Sequence, residues 1–442
     1  MIRETPLRNR WVRCVTAAAM STALVLTPAL AADAAPDDNW WYDAYGMTTI
    51  HSEGWTGAGV KVAVIDANIN PELPVFEGRR LVVDSRPLCA ESSSPTTTEP
   101  TGDAIHGTTV VAQIIGSGEG PDGIRGMAPD AEVKFYSFGT KTASDQCTPA
   151  EYEGGLTPLG LGVQRAIEDG ADVVVSSIAG GTSSFDSDVI ANAVAKGVIL
   201  VGSGPNPETK SATGLREYRG VVVASAVDDE GQLPSADGAP FVFPETTVVA
   251  PGERLGTVGS EEDGWGTGGV ASGSSFAAPI VAGMLALAKQ RYPTATPSQL
   301  VQGLVRNTGN KAHDLVNDAA SGFGYGLAWP ARLLATDPTS YPDENLLLSD
   351  GRTKPTDEQI QAAAARGSSF PTTEPPTASS TDPPRPRDGE DDAPQVAPSS
   401  DLLPTVIGIV VGIVVTVGVV VTIVIVLVSR KVRRKGTDDR SV

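Results

Sequence analysis

The segment Gly273-Ser274-Ser275-Phe276-Ala277-Ala278-Pro279 places Ser275 where a loop meets a run of small apolar residues that continues through Val281, Ala282, Leu285 and Leu287. A serine at a helix N-terminus lies beside backbone N–H groups without intrahelical partners and beside the positive end of the helix dipole. Such groups can stabilise an oxyanion, so the position suits a nucleophile if a general base lies near. The chain has 3 histidines from which to draw that base. His51 falls in a short polar lead over 37–56, and His313 in a loop before Asp314. His106 differs, because Gly107-Thr108-Thr109 and the apolar run Val110–Ile115 follow it. It is expected at the start of a buried helix. Asp66 directly follows the apolar run Val60–Ile65 and so ends a buried strand, at the sheet edge where sites form. Alone, His106 reads as a helix-start residue and Asp66 as a turn or cap residue. Together, in the order Asp66, His106, Ser275, they supply an orienting acid, a base and a nucleophile.

The elements that must hold these residues alternate along the chain. Apolar, β-branched runs at Val60–Ile65, Glu132–Ser137, Asp172–Ser176, Val198–Val201, Gly220–Ala224 and Thr247–Ala250 predict strands. Helical patterns at Thr108–Ile115, Gly160–Asp169 and Val189–Lys196 fall between them. This alternation predicts an α/β sandwich around a mostly parallel sheet.

The order Asp, His, Ser on such a sheet resembles the subtilisin-like (subtilase) serine peptidases. Val62-Ala63-Val64-Ile65-Asp66 is similar to that family's aspartate motif and His106-Gly107-Thr108 to its histidine motif. Gly273–Gly283 is similar to its serine motif, the most specific of the three, and Gly126-Met127-Ala128-Pro129 to its Gly-x-Ala-Pro turn. The resemblance implies that Ser275 attacks the scissile carbonyl, that His106 carries the proton and that Asp66 orients His106. It also implies that Ser176, Ser177 and Gly180 lie on a segment pairing with extended peptide, and that Gly202 and Gly204 form an open pocket wall. Departures are present. Ala67-Asn68 stands where a small hydroxyl residue and glycine are usual, Thr109 replaces a second histidine, and Ser274 replaces a threonine. The oxyanion asparagine of the family follows a small-small-Gly segment, whereas here Pro205 intervenes before Asn206. Either a local shift brings Asn206 to the site, or one donor is missing.

Arg8, Arg10 and Arg13 precede an apolar run over Val15–Leu30, and Ala29-Leu30-Ala31 resembles a cleavage site, so residues 1–31 read as a secretory signal. Leu402–Val428 holds no charged residue. As a helix its uninterrupted part, Val406–Val428, would be about 35 Å long, against a hydrocarbon core of about 30 Å. Residues 401–429 are therefore expected to span a membrane, with the basic tail 430–442 cytoplasmic and the main body outside. Between them, 337–400 is rich in Pro, Ser, Thr and acidic residues and reads as an extended linker with a modest helix around Asp357–Ala365, which leaves 32–336 as the peptidase-like domain. Loss of Cys14 with the signal leaves Cys89 and Cys147, expected to pair in an oxidising compartment. With 33 Lys+Arg against 53 Asp+Glu, the net charge is 33 − 53 = −20, which argues against a nucleic-acid surface. The chemistry requires no metal or cofactor, and no acidic loop stands out for calcium.

Signal, peptidase domain, Pro-rich linker, single C-terminal helix and basic tail together resemble the mycosins, membrane-anchored subtilases of type VII secretion. That likeness implies secreted protein or peptide substrates and membrane components of the secretion machinery as partners. It leaves two roles open: an active endopeptidase, or a weakly active or inactive scaffold on the same fold. A lipase-type α/β-hydrolase is set aside, because Gly-x-Ser-x-Gly and the order Ser, Asp, His are both missing.

Overall fold

The computed structural model describes residues 39–121, 123–139, 147–150, 155–209, 213–311 and 313–367. The expected signal, membrane span, basic tail and most of the linker lie outside these residues. Among the described residues no helix is long and apolar enough to cross a membrane.

Seven strands form one parallel sheet: β1 (Lys61–Asp66), β2 (Arg80–Val83), β3 (Glu132–Ser137), β4 (Val173–Ser176), β5 (Ile199–Ser203), β6 (Val221–Val227) and, after a small hairpin of β7 (Ser235–Ala236) and β8 (Ala239–Pro240), β9 (Val248–Pro251). Their order is β2-β3-β1-β4-β5-β6-β9. The strands are apolar throughout because both faces are covered. Along β1, Val62 and Val64 join one core cluster while Ala63 and Ile65 join the other. Along β4 and β5 the same split sends Val173, Val175, Ile199 and Val201 one way and Val174 and Leu200 the other. The first face packs against α3 (Gly102–Ile115) and α6 (Ser274–Arg291), and the second against α4 (Pro158–Glu168) and α5 (Asp186–Lys196). Because β1 lies between β3 and β4, the chain winds away from it in both directions. The crevice at its carboxyl end is where such sheets bind ligands.

Three expectations need correcting. The lead over 37–56 is not merely polar. It folds as α1 (Trp40–Ala44) and α2 (Met47–Ser52), whose Trp41, Tyr42, Tyr45, Met47 and Ile50 are buried in the main core. On α2, His51 joins the Tyr42 hydroxyl through Nδ1 at 2.9 Å and the Met127 carbonyl through Nε2 at 3.0 Å. Second, His106 does not begin its helix. Thr101 caps α3 by accepting from the Ala104 N–H, which places His106 one turn inside. Third, residues 337–367 are not an extended linker. After α7 (Pro297–Arg306) and α8 (Pro330–Ala335), this stretch returns to the body as a strap ending in α9 (Asp357–Arg366). Leu347 and Ala363 are buried. Arg219 donates to the Leu348 and Pro355 carbonyls and to Asp357, while Arg352 donates to the Arg216 and Val221 carbonyls, each at 2.8 Å. Composition misled here because a few buried anchors suffice to dock an otherwise polar segment.

Candidate active site

Asp66 is fully buried at the end of β1. Its Oδ1 accepts from the Ala67 N–H at 2.7 Å and from His106 Nδ1 at 2.9 Å. Ala67 brings no hydroxyl, and Asp66 Oδ2 is buried without a hydrogen-bond partner among the described residues. With Nδ1 donating to the carboxylate, Nε2 of a neutral His106 is the basic nitrogen. Burial is the largest single influence on His106 and pulls its pKa down. The charge and hydrogen bond of Asp66, together with the charge of Asp103, outweigh it, so the net shift is upward from the ordinary imidazole value. The approach of α3 to the loop after β1 depends on Gly107. A Cβ there would fall 2.1 Å from the Asn68 carbonyl oxygen, so only glycine lets His106 come this close to Asp66. Thr108 fixes the same contact by accepting from the Asn70 N–H at 3.0 Å. Thr109, which stands where a second histidine was usual, is buried and accepts from the Val258 N–H at 2.9 Å.

Ser275 is the second residue of α6, as its sequence implied. Ser274 pins the helix start to the sheet, its Oγ accepting from the Ala226 N–H at 3.1 Å. Gly273 precedes the helix at φ 154°. A Cβ there would lie 2.9 Å from Asn206 Nδ2 and 3.4 Å from Ser275 Oγ, so this glycine is the space that lets the two groups share one corner. Asn206 Oδ1 accepts from the Ser274 N–H at 2.8 Å. That bond fixes the amide orientation and assigns Nδ2 to the other side. The residue between two prolines is also held by a turn, with the Asn206 N–H donating to Thr209 Oγ1 and the Thr209 N–H to the Asn206 carbonyl. Intervening Pro205 therefore does not displace the asparagine from the site.

His106, Ser275, Asn206, Ser177 and Gly204 line one cavity of about 390 Å³. The Phe276 ring packs against the His106 ring, with centroids 5.6 Å apart. No hydrogen bond joins His106 to Ser275 Oγ; such bonds are often long before substrate binds. Of the other expected residues, Ser176 is buried in β4, Gly202 lies against the Arg216 backbone, and the Gly180 N–H donates to the Thr213 carbonyl, so these three support the cavity wall without lining it. Sequence reasoning missed Arg216, Thr257 and Ser272 on the lining. Arg216 gave no signal, because the sequence before β6 is polar and places Glu217 and Arg219 beside it. His51 and His313 lie elsewhere, the latter bonded to Thr308. Cys89 and Cys147 form a disulfide across 58 residues, tying the loop before α3 to the one after β3.

Residues 57–326 match the Subtilase family. Subtilisin E of Bacillus subtilis is 30% identical over 269 residues, covering 58% of this chain and 63% of that protein. The chain thus spans about 63% of the length of such curated relatives. Among solved structures, fervidolysin from Fervidobacterium pennivorans, described as a keratinolytic enzyme related to subtilisin, has a TM-score of 0.54 at 23% identity, covering 68% of this chain and 46% of that one. MycP1 from the ESX-1 type VII secretion system has a TM-score of 0.52 at 20% identity, covering 70% and 88%. At these identities the structural likeness speaks for the fold alone.

Proposed function

As this chain belongs to the subtilase family, we propose that it is a serine endopeptidase whose acyl-enzyme forms on Ser275. The observation that carries this reading is the 2.9 Å bond between Asp66 and His106 beside a cavity shared with Ser275 and Asn206. Ser275 Oγ attacks the scissile carbonyl and passes its proton to His106 Nε2. Asp66 holds the tautomer and stabilises the imidazolium. The Ser275 backbone N–H and Asn206 Nδ2 receive the negative charge of the tetrahedral intermediate. His106 then protonates the leaving amine, and water attacks the acyl-enzyme by the reverse path. An extended peptide enters by strand addition along 177–179, where backbone groups give affinity and side-chain pockets give selectivity.

The setting belongs to the same proposal. The apolar run Leu402–Val428 and the basic segment after it support a single C-terminal anchor with the catalytic body outside the membrane. Signal-like N-terminus, anchor and fold together fit a mycosin acting beside a type VII secretion complex on secreted proteins. Hydrolysis of a quenched-fluorescent peptide library by the purified ectodomain tests the activity. Turnover abolished by Ser275→Ala supports the proposal, and turnover equal in the two proteins refutes it. Secretion that survives Ser275→Ala but fails on deletion would instead favour the scaffold role.

A further inference from the structure

The turn that forms one wall of the cleft is finished by a segment far along the chain. Leu215–Glu217 makes a single 3₁₀ turn, and Arg216 on it lines the cavity that holds Ser275 and His106. The turn packs directly on β5. A Cβ at Gly202 would lie 3.0 Å from the Arg216 backbone nitrogen and 3.4 Å from Leu215 Cβ. Within the turn, the Glu217 N–H donates to the Gly214 carbonyl and the Tyr218 N–H to the Leu215 carbonyl. The next bond of that series would run from the Arg219 N–H to the Arg216 carbonyl. It is not made, because Tyr218 is extended at φ −99°, ψ 136°. Both groups go to the strap instead. The Arg219 N–H donates to the Lys354 carbonyl at 2.7 Å, and the Arg216 carbonyl accepts from Arg352 Nη1 at 2.8 Å.

Arg352 is itself fixed in place. Its side chain is 7% exposed, its Nε donates to Asp350 Oδ2 at 2.9 Å, and its Nη2 donates at 2.8 Å to the carbonyl of Val221, where β6 begins. The Gly220 N–H donates to the Leu347 carbonyl at 2.8 Å. Strap bonds therefore reach residues 216, 219, 220 and 221, the whole path from the wall turn to the sheet. An undocked strap would leave the Arg216 carbonyl and the Arg219 N–H without these partners. Closing on each other satisfies both, at the cost of adding one bond to the 3₁₀ turn and rotating the Arg216 peptide. The wall thus has two hydrogen-bonded arrangements, and the docked strap selects one of them. The triad and Asn206 are held by other bonds, from Asp66 to His106 and from Ser274 to Ala226 and Asn206.

We infer that Arg352 is a positioning residue for substrate binding, acting through the Arg216 carbonyl, and that strap and cleft are coupled. Peptide in the cleft favours the docked strap, and the docked strap favours peptide. This rests on the peptidase reading above, which makes the cleft the peptide site. Coupling of this kind is reciprocal, so it can be read from either end. The probe is the quenched-fluorescent peptide that wild-type protein hydrolyses fastest. Saturating the full-length Ser275→Ala protein with it should slow amide hydrogen exchange over 346–366 by about fivefold or more. Arg352→Ala should raise KM for the same peptide about fivefold or more with kcat within about twofold of the parent, and Arg352→Lys should keep part of the affinity. Strap exchange that ignores the peptide, KM of Arg352→Ala within about twofold of the parent, or a loss confined to kcat would each overturn the inference. The exchange measurement needs no strap variant, so it decides the matter even if Arg352→Ala misfolds. Wild-type protein that hydrolyses no peptide and takes no fluorophosphonate at Ser275 refutes the peptidase reading and the inference with it. An active protein whose strap ignores the peptide refutes the inference alone.

Discussion

On the proposed mechanism Asn206 does two jobs that one substitution can separate. Its Oδ1 accepts from the Ser274 N–H at 2.8 Å, and its Nδ2 lies 2.9 Å from the point where a Gly273 Cβ would stand, with Ser275 Oγ 3.4 Å from the same point. Asn206→Asp keeps the acceptor and removes the donor, whereas Asn206→Ala removes both. Loss of an oxyanion donor costs about 2.7–4 kcal/mol, or about 10²–10³ in kcat. Loss of the Ser274 bond costs about 1 kcal/mol of stability. Asn206→Ala should therefore lower kcat by about 10²–10³ with KM little changed, and lower Tm by about 2–4 °C. Asn206→Asp should hold Tm near the parent while lowering kcat at least as far, because its carboxylate repels the developing oxyanion. Steady-state kinetics on one peptide, paired with thermal melting, reads both effects. The reasoning is refuted if Asn206→Asp keeps kcat within about threefold of the parent, or if the loss appears in KM alone.

Three further outcomes are expected. His106 must be neutral to act as base, so kcat/KM should rise with pH through a pKa above the ordinary imidazole value. Asp66→Asn should move that limb toward acid and lower the plateau by about 10⁴. For His51, burial dominates and lowers the pKa, opposed by the bond to the Met127 carbonyl and by Asp130. The unfolded chain thus binds more protons below about pH 6.5, so stability is full above that value and falls as pH drops through the folded pKa. His51→Gln should flatten this dependence in melting curves between pH 7.5 and 5. Arg352→Ala removes two charge-assisted bonds from the strap and should cost about 2–5 kcal/mol in denaturant unfolding, whereas an undocked linker would lose nothing.

The strands were legible in the sequence because they depend on local pattern. Lys61–Asp66 had to be a doubly buried strand, and a carboxylate at its end had to face the sheet crevice. Pairing of His106 with Asp66 was legible only through chain order, since the contact relies on Gly107 meeting the Asn68 carbonyl across 39 residues. Asn206 was ambiguous because Pro205 shifts the register by one. The bond to Ser274 that holds Asn206 at the site joins residues 68 apart and is tertiary. The strap over 337–367 was misread since its anchors, Leu347, Arg352 and Ala363, are sparse in a polar context. Arg216 was invisible as a cavity residue, because its placement depends on where 178–180 meets 213–216.

Reaction of the ectodomain with a fluorophosphonate, followed by intact-mass and peptide mapping, tests the central claim most directly. The account predicts one adduct per chain, on Ser275, absent from Ser275→Ala and slowed by Asn206→Asp. Folded wild-type protein that gains no adduct, or an adduct that persists in Ser275→Ala, would contradict it.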